Sequence, residues 1–575
     1  MASGHKTCQA DTQVGPGPDL FSQQFLILSG KRNLASAPGF RKMEAGGFGI
    51  MKNILAAWAL AALTTQAMAW PEKSPESTKP SAAVTAAATA LAKSVDSAVA
   101  AKCKESGIAL SPRTTDAEFL RRVHLDLVGK IPAIEKARAF LDSNDPEKRA
   151  KLIDELLASP DFGRHMADIW QTLLLSKNST ARRLDTGVFV DWLAHQFNEN
   201  RPWDGLVRDI VMAKGPQDKN PATTFWLSQV SVDNMTDTVC KVFLGVQLQC
   251  AQCHNHPFTG WKQDEYWGLA GFFLNVRAQP PGNKQTASPV VAETKAARNR
   301  KNALPESAKM VPPKFFRGEV AKLGTGHEIR PVFAEWLCGE NNPYLARAMV
   351  NRLWAQMFSR GLVHPVDNIH DGNPASHPEL LEDLTQRFKS GRFDVKAFIK
   401  ALCLSETYQR SSKPVEGNKD AVIDSYARMP VKVLTPEQMY DSLQMVLGVA
   451  TGPAARKMAA AGPKGGKGAR AQFVAFFAGE EDAEATEYQA GIPQALQLMN
   501  AARMNSPAPA LKLVSGASDP AVAVETLYLA TLSRKPTSAE VAMAKEHAKK
   551  MDTPRQAPAD LLWALVNSSE FATNH

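Results

Sequence analysis

Helix-initiation signals recur along almost the whole chain, and they constrain the fold more than any other feature. Thr115-x-x-Glu118, Ser376-x-x-Glu379, Thr435-x-x-Gln438 and Thr537-x-x-Glu540 each have the form of a capping box. In such a box a hydroxyl oxygen and a side chain three residues on satisfy orphan N–H groups of a first turn. Asp145-Pro146 and Asn342-Pro343 add a second device, an N-cap followed by proline at the first helical position. Apolar residues at helical spacing follow each signal. After Asn342, for example, Ala346, Met349, Val350, Leu353, Trp354, Met357 and Phe358 share one face. Long alternating β-branched runs are scarce. The chain is predicted to be mainly α.

At 575 residues it exceeds what one core usually serves. Residues 278–325 carry Pro280, Pro281, Gly282, Pro289, Pro305, Pro312 and Pro313 among many charges. They read as an irregular Pro-rich connection between two helical domains, 82–277 and 326–575. Residues 452–470 read as a flexible loop. Their GPKGGKGAR run is no phosphate-binding loop: only three residues separate Gly462 from Gly466-Lys467, and Gly468 stands where Ser or Thr is required.

The N-terminus points to export. From Met51 the sequence reads MKNILAAWALAALTTQAMAW: a cationic start at Lys52, an apolar run from Ile54 to Leu63, then Ala67-Met68-Ala69. This is the three-part pattern of a secretory signal, with cleavage expected before Trp70. The apolar run is far shorter than the roughly 20 residues a membrane span needs, so no transmembrane span is expected after cleavage. Residues 1–50 are a poor extension of such a signal and read as a mis-assigned start, with 51–69 the signal peptide and 70–81 a linker. A periplasmic or otherwise exported location follows. The formal net charge is +9, but Lys and Arg are dispersed. That suits a mildly basic solvated surface, and no nucleic-acid partner is expected.

Cys250-Ala251-Gln252-Cys253-His254 is the site that carries chemistry. Two thiols three positions apart on a short turn can each add to a vinyl group on one porphyrin edge, and the adjacent histidine can bind the iron as proximal ligand. One covalent haem c is expected on Cys250 and Cys253 with His254 on the metal. Two alternatives stay open, a Cys250–Cys253 disulfide and a zinc knot using Cys250, Cys253, His254 and His256. Met235, upstream, is a candidate distal ligand, while His256 sits too close to His254 to reach the opposite face of the ring. His364, His370 and His377 form a second group of candidates that could reach across a domain interface. Phe258, Trp261, Tyr266, Trp267, Phe272 and Phe273 flank the motif, as a dry pocket wall or as ordinary core.

Several segments resemble a known pair of domains. RRVHLDLVGKIP (121–132), KRAKLIDELLASPDF (148–162) and FLGVQLQCAQCHNHPFTGWKQDEYWGLAGFF (243–273) are similar to the planctomycete cytochrome-c-type domain of unknown function 1549. The stretch NPYLARAMVNRLWAQMFSRGLVHPVDNIHDGNPASHPELLEDL (342–384), with SETYQRSS (405–412) and LLWALVNSSEFATNH (561–575), resembles its usual partner, domain of unknown function 1553. The resemblance implies an origin in planctomycetes, verrucomicrobia or their relatives, and genomic company with secreted sulfatases and glycan-degrading enzymes. Many relatives carry a further cytochrome domain. This chain has one haem motif, so an external, exported redox partner protein is implied.

Three function classes follow. The chain is an exported c-type haem protein in electron transfer; or a haem-dependent redox enzyme linked to polysaccharide or sulfated-glycan catabolism; or a non-redox scaffold with a Cys250–Cys253 disulfide.

Overall fold

The fold is taken from a computed structural model, which describes residues 82–176, 184–229, 231–256, 259–279, 288–294, 311–324, 328–448, 468–477, 499–500, 505–517, 519–551, 553 and 555–575. Residues 1–81, read above as a mis-assigned start, a signal peptide and a linker, lie outside the described residues, as does most of the expected 452–470 loop.

Helices run in chain order from α1 (Ala82–Glu105), α2 (Asp116–Val128), α3 (Ile134–Asp142), α4 (Lys148–Ala158) and α5 (Pro160–Leu174) to α6 (Thr186–Asn198) and α7 (Trp203–Val211). Next come α8 (Thr224–Ser228), α9 (Val232–Val239), a π-helical turn (Cys240–Leu244), a 3₁₀ turn (Gln249–Gln252) and α10 (Gln263–Ala270). The second half holds α11 (Arg330–Leu337), α12 (Leu345–Phe358), α13 (Pro378–Ser390), α14 (Val395–Leu404), α15 (Pro436–Val446) and α16 (Ala469–Phe477). It closes with α17 (Ala508–Leu513), α18 (Pro520–Leu532), α19 (Ser538–Lys549) and α20 (Gln556–Val566). Among the described residues no strand exceeds four residues. β1 (Gly215–Pro216), β3 (Val290–Glu293) and β2 (Val276–Gln279) form one small antiparallel sheet, and β4 (Lys432–Val433) pairs with β5 (Thr573–Asn574). The fold is mainly α, as predicted.

The capping chemistry explains several of the starts, but not that of α4, which opens at Lys148 with Glu147 at the N-cap position and not at Asp145-Pro146. Both halves of the box form at Thr435/Gln438 and at Thr537/Glu540. Thr115 accepts from the Glu118 N–H, but the Glu118 carboxylate turns away to Arg122 and to the Ser412 N–H. Asn342 Oδ1 accepts from the N–H groups of Tyr344 and Leu345 and so opens α12, whose seven predicted core residues are all buried. Ser376 does not cap. His377 takes the N-cap position, and α13 begins at Pro378 without a side-chain cap.

The two helical halves, expected as separate domains, share one core. Lys79–His575 forms a single compact unit, and one hydrophobic cluster runs from Ala88 to Leu529. Helix α1 packs on α14 and α13, α3 packs on α18, and α2 packs on β5. The Pro-rich connection contributes to this core. Val291, Phe316 and Ala321 are buried, and the backbone of Lys314 donates to Gly268 O of α10. These three apolar side chains thus seat the described parts of a segment whose prolines suggest a free linker. Among the described residues no helix is long and apolar enough to cross a membrane.

Buried histidines make the fold acid-sensitive. Burial pushes His124 down to about 3 and His377 down to about 4, from an ordinary value of 6.5. The unfolded chain therefore binds these protons near pH 6.5 while the native state refuses them. Stability is fully present above pH 6.5 and falls as pH drops towards 4. The urea midpoint should decline across that window, and His377→Gln should flatten the decline. A midpoint unchanged between pH 6.5 and 4 would refute this.

Candidate functional site

The Cys-x-x-Cys-His segment is carried on a short 3₁₀ turn wedged between α9 and α10. The route to it is unusual. After α9 the chain widens into the π-helical turn and leaves through Gly245 in the left-handed region, at φ +70°. Only glycine suits that position. A Cβ there would stand 2.9 Å from Ile369 Cδ1 and 3.1 Å from Ala348 Cβ. Inserted π-helical turns of this kind are frequent beside functional sites.

Backbone carbonyls of the motif are held from α10. Trp267 Nε1 donates to Gln252 O at 3.1 Å, and Gln263 Nε2 donates to the carbonyls of Gln252 and Cys253 at 3.0 and 2.9 Å. The Gln263 N–H also donates to Asn255 Oδ1. A rigid helix therefore fixes the turn, while its reactive side chains face outward. Cys250, Cys253 and His254 are exposed, and both thiols are free. Ala251, between them, is fully buried and anchors the turn to the core.

The histidine tautomers follow from their partners. His254 Nδ1 lies 2.8 Å from Asn255 O, an acceptor, so Nδ1 carries the proton and Nε2 keeps its lone pair. His256 and His370 are the reverse. His256 Nδ1 accepts from the Thr259 N–H at 3.2 Å, and His370 Nδ1 accepts from the Gly372 N–H at 3.0 Å. In the neutral ring Nε2 then bears the proton, which suits a hydrogen-bond donor and not a metal ligand.

The structure separates the remaining candidates. Met235 is buried in the core. On α9 it falls on the side opposite Asp233 and Asp237, the pair that faces Gln252 and Tyr266, so it is turned away from the motif. Of the second-half histidines, His370 comes to the site's flank. Its ring meets Trp261 edge-on at 5.6 Å, and His256 meets the same indole at 5.4 Å. His377 packs on Tyr426 instead. Trp261, Tyr266, Trp267, Phe272 and Phe273 are all buried and act as core. Phe258 lies outside the described residues. Among the described residues no group of three or more His, Cys, Asp or Glu side chains is set to hold a metal ion. Cys250, Cys253, His254 and His256 therefore do not assemble as a zinc knot.

Two features were not read from the sequence. The first is the contribution of the second half. The loop around Asp367–Gly372 lies against the chain entering the motif, with Gln247 Nε2 donating to Asp367 Oδ1 at 2.6 Å and the Ile369 N–H donating to Gly245 O. Nothing in a spacing of residues announces that contact. The second is an acidic pair, Asp233 and Asp237, one helical turn apart. Burial raises both carboxyls, with Asp237 pushed up to about 6. That pair was visible in the sequence as aspartates at i and i+4 just before the motif.

Comparison with known proteins agrees with this layout. Residues 94–278 match the family model described as PSCyt2, protein of unknown function (DUF1549), and residues 329–548 match PSD1, protein of unknown function (DUF1553). The comparisons with curated proteins and with solved structures return no match. The described geometry above thus belongs to a PSCyt2 domain followed by a PSD1 domain.

Proposed function

We propose that this chain, a PSCyt2 domain followed by a PSD1 domain, is an exported electron-transfer protein carrying one covalent haem c on Cys250 and Cys253, with His254 on the iron. The name PSCyt2 implies a planctomycete cytochrome-like domain. The observation that carries the proposal is the His254 ring. Its Nδ1–H is committed to Asn255 O, which leaves Nε2 as the only ring nitrogen able to ligate, next to two free and exposed thiols. Metal-ligating histidines commonly donate their other N–H to a carbonyl in this way, which orients the ring and raises its basicity.

Those residues fit the group. Two free thiols on one turn can form the two thioether links, and the turn itself is braced by Trp267 and Gln263 so that it cannot swing. A haem bound there supplies a one-electron couple. The chain's own part is to hold the porphyrin edge at the surface, where an exported partner protein can approach it. His256 and His370 would serve as hydrogen-bond donors beside the site. Secreted sulfatases and glycan-degrading enzymes remain candidate company for the protein, on the strength of the resemblance alone.

The test is expression with its export signal in a host that matures c-type cytochromes. The expected product is coloured, shows a reversible one-electron couple and keeps its haem through denaturing electrophoresis. A colourless protein with a Cys250–Cys253 disulfide would replace this proposal with the scaffold reading.

A further inference from the structure

An open cleft of about 330 Å³ lies where α6, α7 and the chain leaving α7 meet, and Trp192, Gln196, Arg208, Asp209, Met212 and Asn220 line most of it. Trp192 and Gln196 stand one turn apart on α6 and share a face, while Arg208 and Asp209 come from the last turn of α7. Asn220 is fixed in place, its Oδ1 accepting from the Ala222 N–H and its Nδ2 donating to Lys214 O. Asp209 is neutralised by Arg201 at 3.0 Å. The Trp192 indole rests against the buried Phe189 ring, with centroids 5.6 Å apart.

Three of these side chains carry polar groups that bond to nothing else. Among the described residues the Arg208 guanidinium has no hydrogen bond or ion pair and acts only through space, on the Cys338 thiol. The Gln196 carboxamide and the Trp192 Nε1–H are likewise uncommitted. All three residues are half-buried and line the same cavity. One uncompensated cation, a carboxamide and an indole therefore converge on it, beside the exposed thioether of Met212. An apolar surface with a few placed polar groups is the make-up of a small-molecule site.

We propose that this cleft binds a small hydroxylated carboxylic acid, the size of one sugar-acid ring. The free cation sets the anion. Arg208 offers a planar fork that matches a carboxylate through two parallel hydrogen bonds. A single uncompensated charge with the Asp209 carboxylate beside it suits a monoanion, and it disfavours a phosphate ester, which carries about −1.5 to −2 at neutral pH. The rest of the lining sets the body of the ligand. Trp192 and Met212 present apolar surface to a ring face, while the Gln196 carboxamide and the remaining lone pairs of Asp209 meet hydroxyl groups. The volume lies at the low end of the roughly 300–1,000 Å³ usual for small-molecule sites, which fits a ligand of one ring. None of Cys250, Cys253 or His254 takes part, so the inference is independent of what the thiols carry.

Titration of glucuronate into the full-length protein at pH 7.5, followed by saturation-transfer NMR, tests it. One saturable site is expected near about 1 mM, the affinity open to a ligand this small with one charged pair and one apolar face. Glucose shares the ring and hydroxyls but lacks the carboxylate, and should bind about tenfold more weakly or worse. Arg208→Met keeps an apolar stem and removes the fork, so it should weaken glucuronate by about tenfold or more with the thermal midpoint unchanged. Arg208→Lys should recover only part of that loss. Gln196→Ala removes a side chain that bonds to nothing in the protein, so it leaves the fold intact and should weaken binding about threefold. Glucuronate that fails to saturate, glucose that binds equally well, or binding unchanged in both Arg208→Met and Gln196→Ala overturns the proposal. So does glucose 6-phosphate binding more tightly than glucuronate, since the cleft would then select a phosphate ester.

Discussion

Replacing Cys250 and Cys253 together by alanine should remove all haem that survives denaturing electrophoresis, an all-or-none loss. Each thioether is a covalent link, so single replacements should leave a stainable product at reduced yield, held through the other cysteine. The fold should survive all three substitutions. Both side chains are exposed and contribute nothing to the core, and the turn is fixed by buried Ala251 and by the bonds from Trp267 and Gln263 to its carbonyls. Surface substitutions of this kind usually change stability by less than about 0.5 kcal/mol. His254→Ala separates two roles. Covalent attachment should persist, while the optical spectrum should change, because the only ring nitrogen free to ligate is gone. If the double alanine protein still stains, the haem is held elsewhere and the Cys-x-x-Cys-His assignment fails. If neither parent nor variant stains in a competent host, and thiol labelling of the parent shows a bridged pair, the disulfide scaffold takes its place.

The legible parts of this protein are those written in local chemistry. Capping residues such as Thr435 with Gln438 and Thr537 with Glu540 act between neighbours, so the sequence displays the whole interaction. The same holds for the α12 face and for the thiol spacing at residues 250–253. What the sequence hid depends on distant partners. The Pro-rich stretch after residue 278 looked like a linker because proline and charge dominate its composition, yet Val291 and Phe316 bind it into the core. Met235 looked like a ligand because it lies close to the motif in number. Helical geometry puts it on the far side of α9. His370 is the opposite case, more than a hundred residues from the motif and in contact with its flanking tryptophan. The tautomer of His254 was equally invisible, since it rests on the direction of one carbonyl.

The sharpest consequence of the shared core concerns two adjacent arginines on α2. Arg121 is fully buried, and its guanidinium donates to the carbonyls of Phe571, Thr531, Glu570 and Thr573 at 2.7, 3.0, 3.2 and 3.2 Å. Arg122 donates to the carbonyls of Tyr408 and Arg410 at 2.7 and 2.9 Å, and pairs with Glu118 at 2.6 Å. Both side chains thus reach from the PSCyt2 segment to backbone in the second half, including the end of the chain. Burial pushes the Glu118 carboxyl up, but Arg122 together with hydrogen bonds from Thr114 and Ser412 more than reverses this, and its net position is below the ordinary carboxylate range. Removing the arginine would strand that carboxylate without its cation. Breaking a buried pair in this way costs about 3–5 kcal/mol, and the orphaned carbonyls add to it. Arg122→Ala should therefore lower the urea midpoint severely, and Arg122→Lys should recover only part of it, because one ammonium cannot replace the guanidinium fork. Hydrogen exchange shows where the loss falls. Peptides covering α2, residues 405–412 and residues 561–575 should lose protection together, as members of one cooperative unit. Loss confined to residues 82–277, with the second half still protected, would show that the two segments fold as separate domains after all.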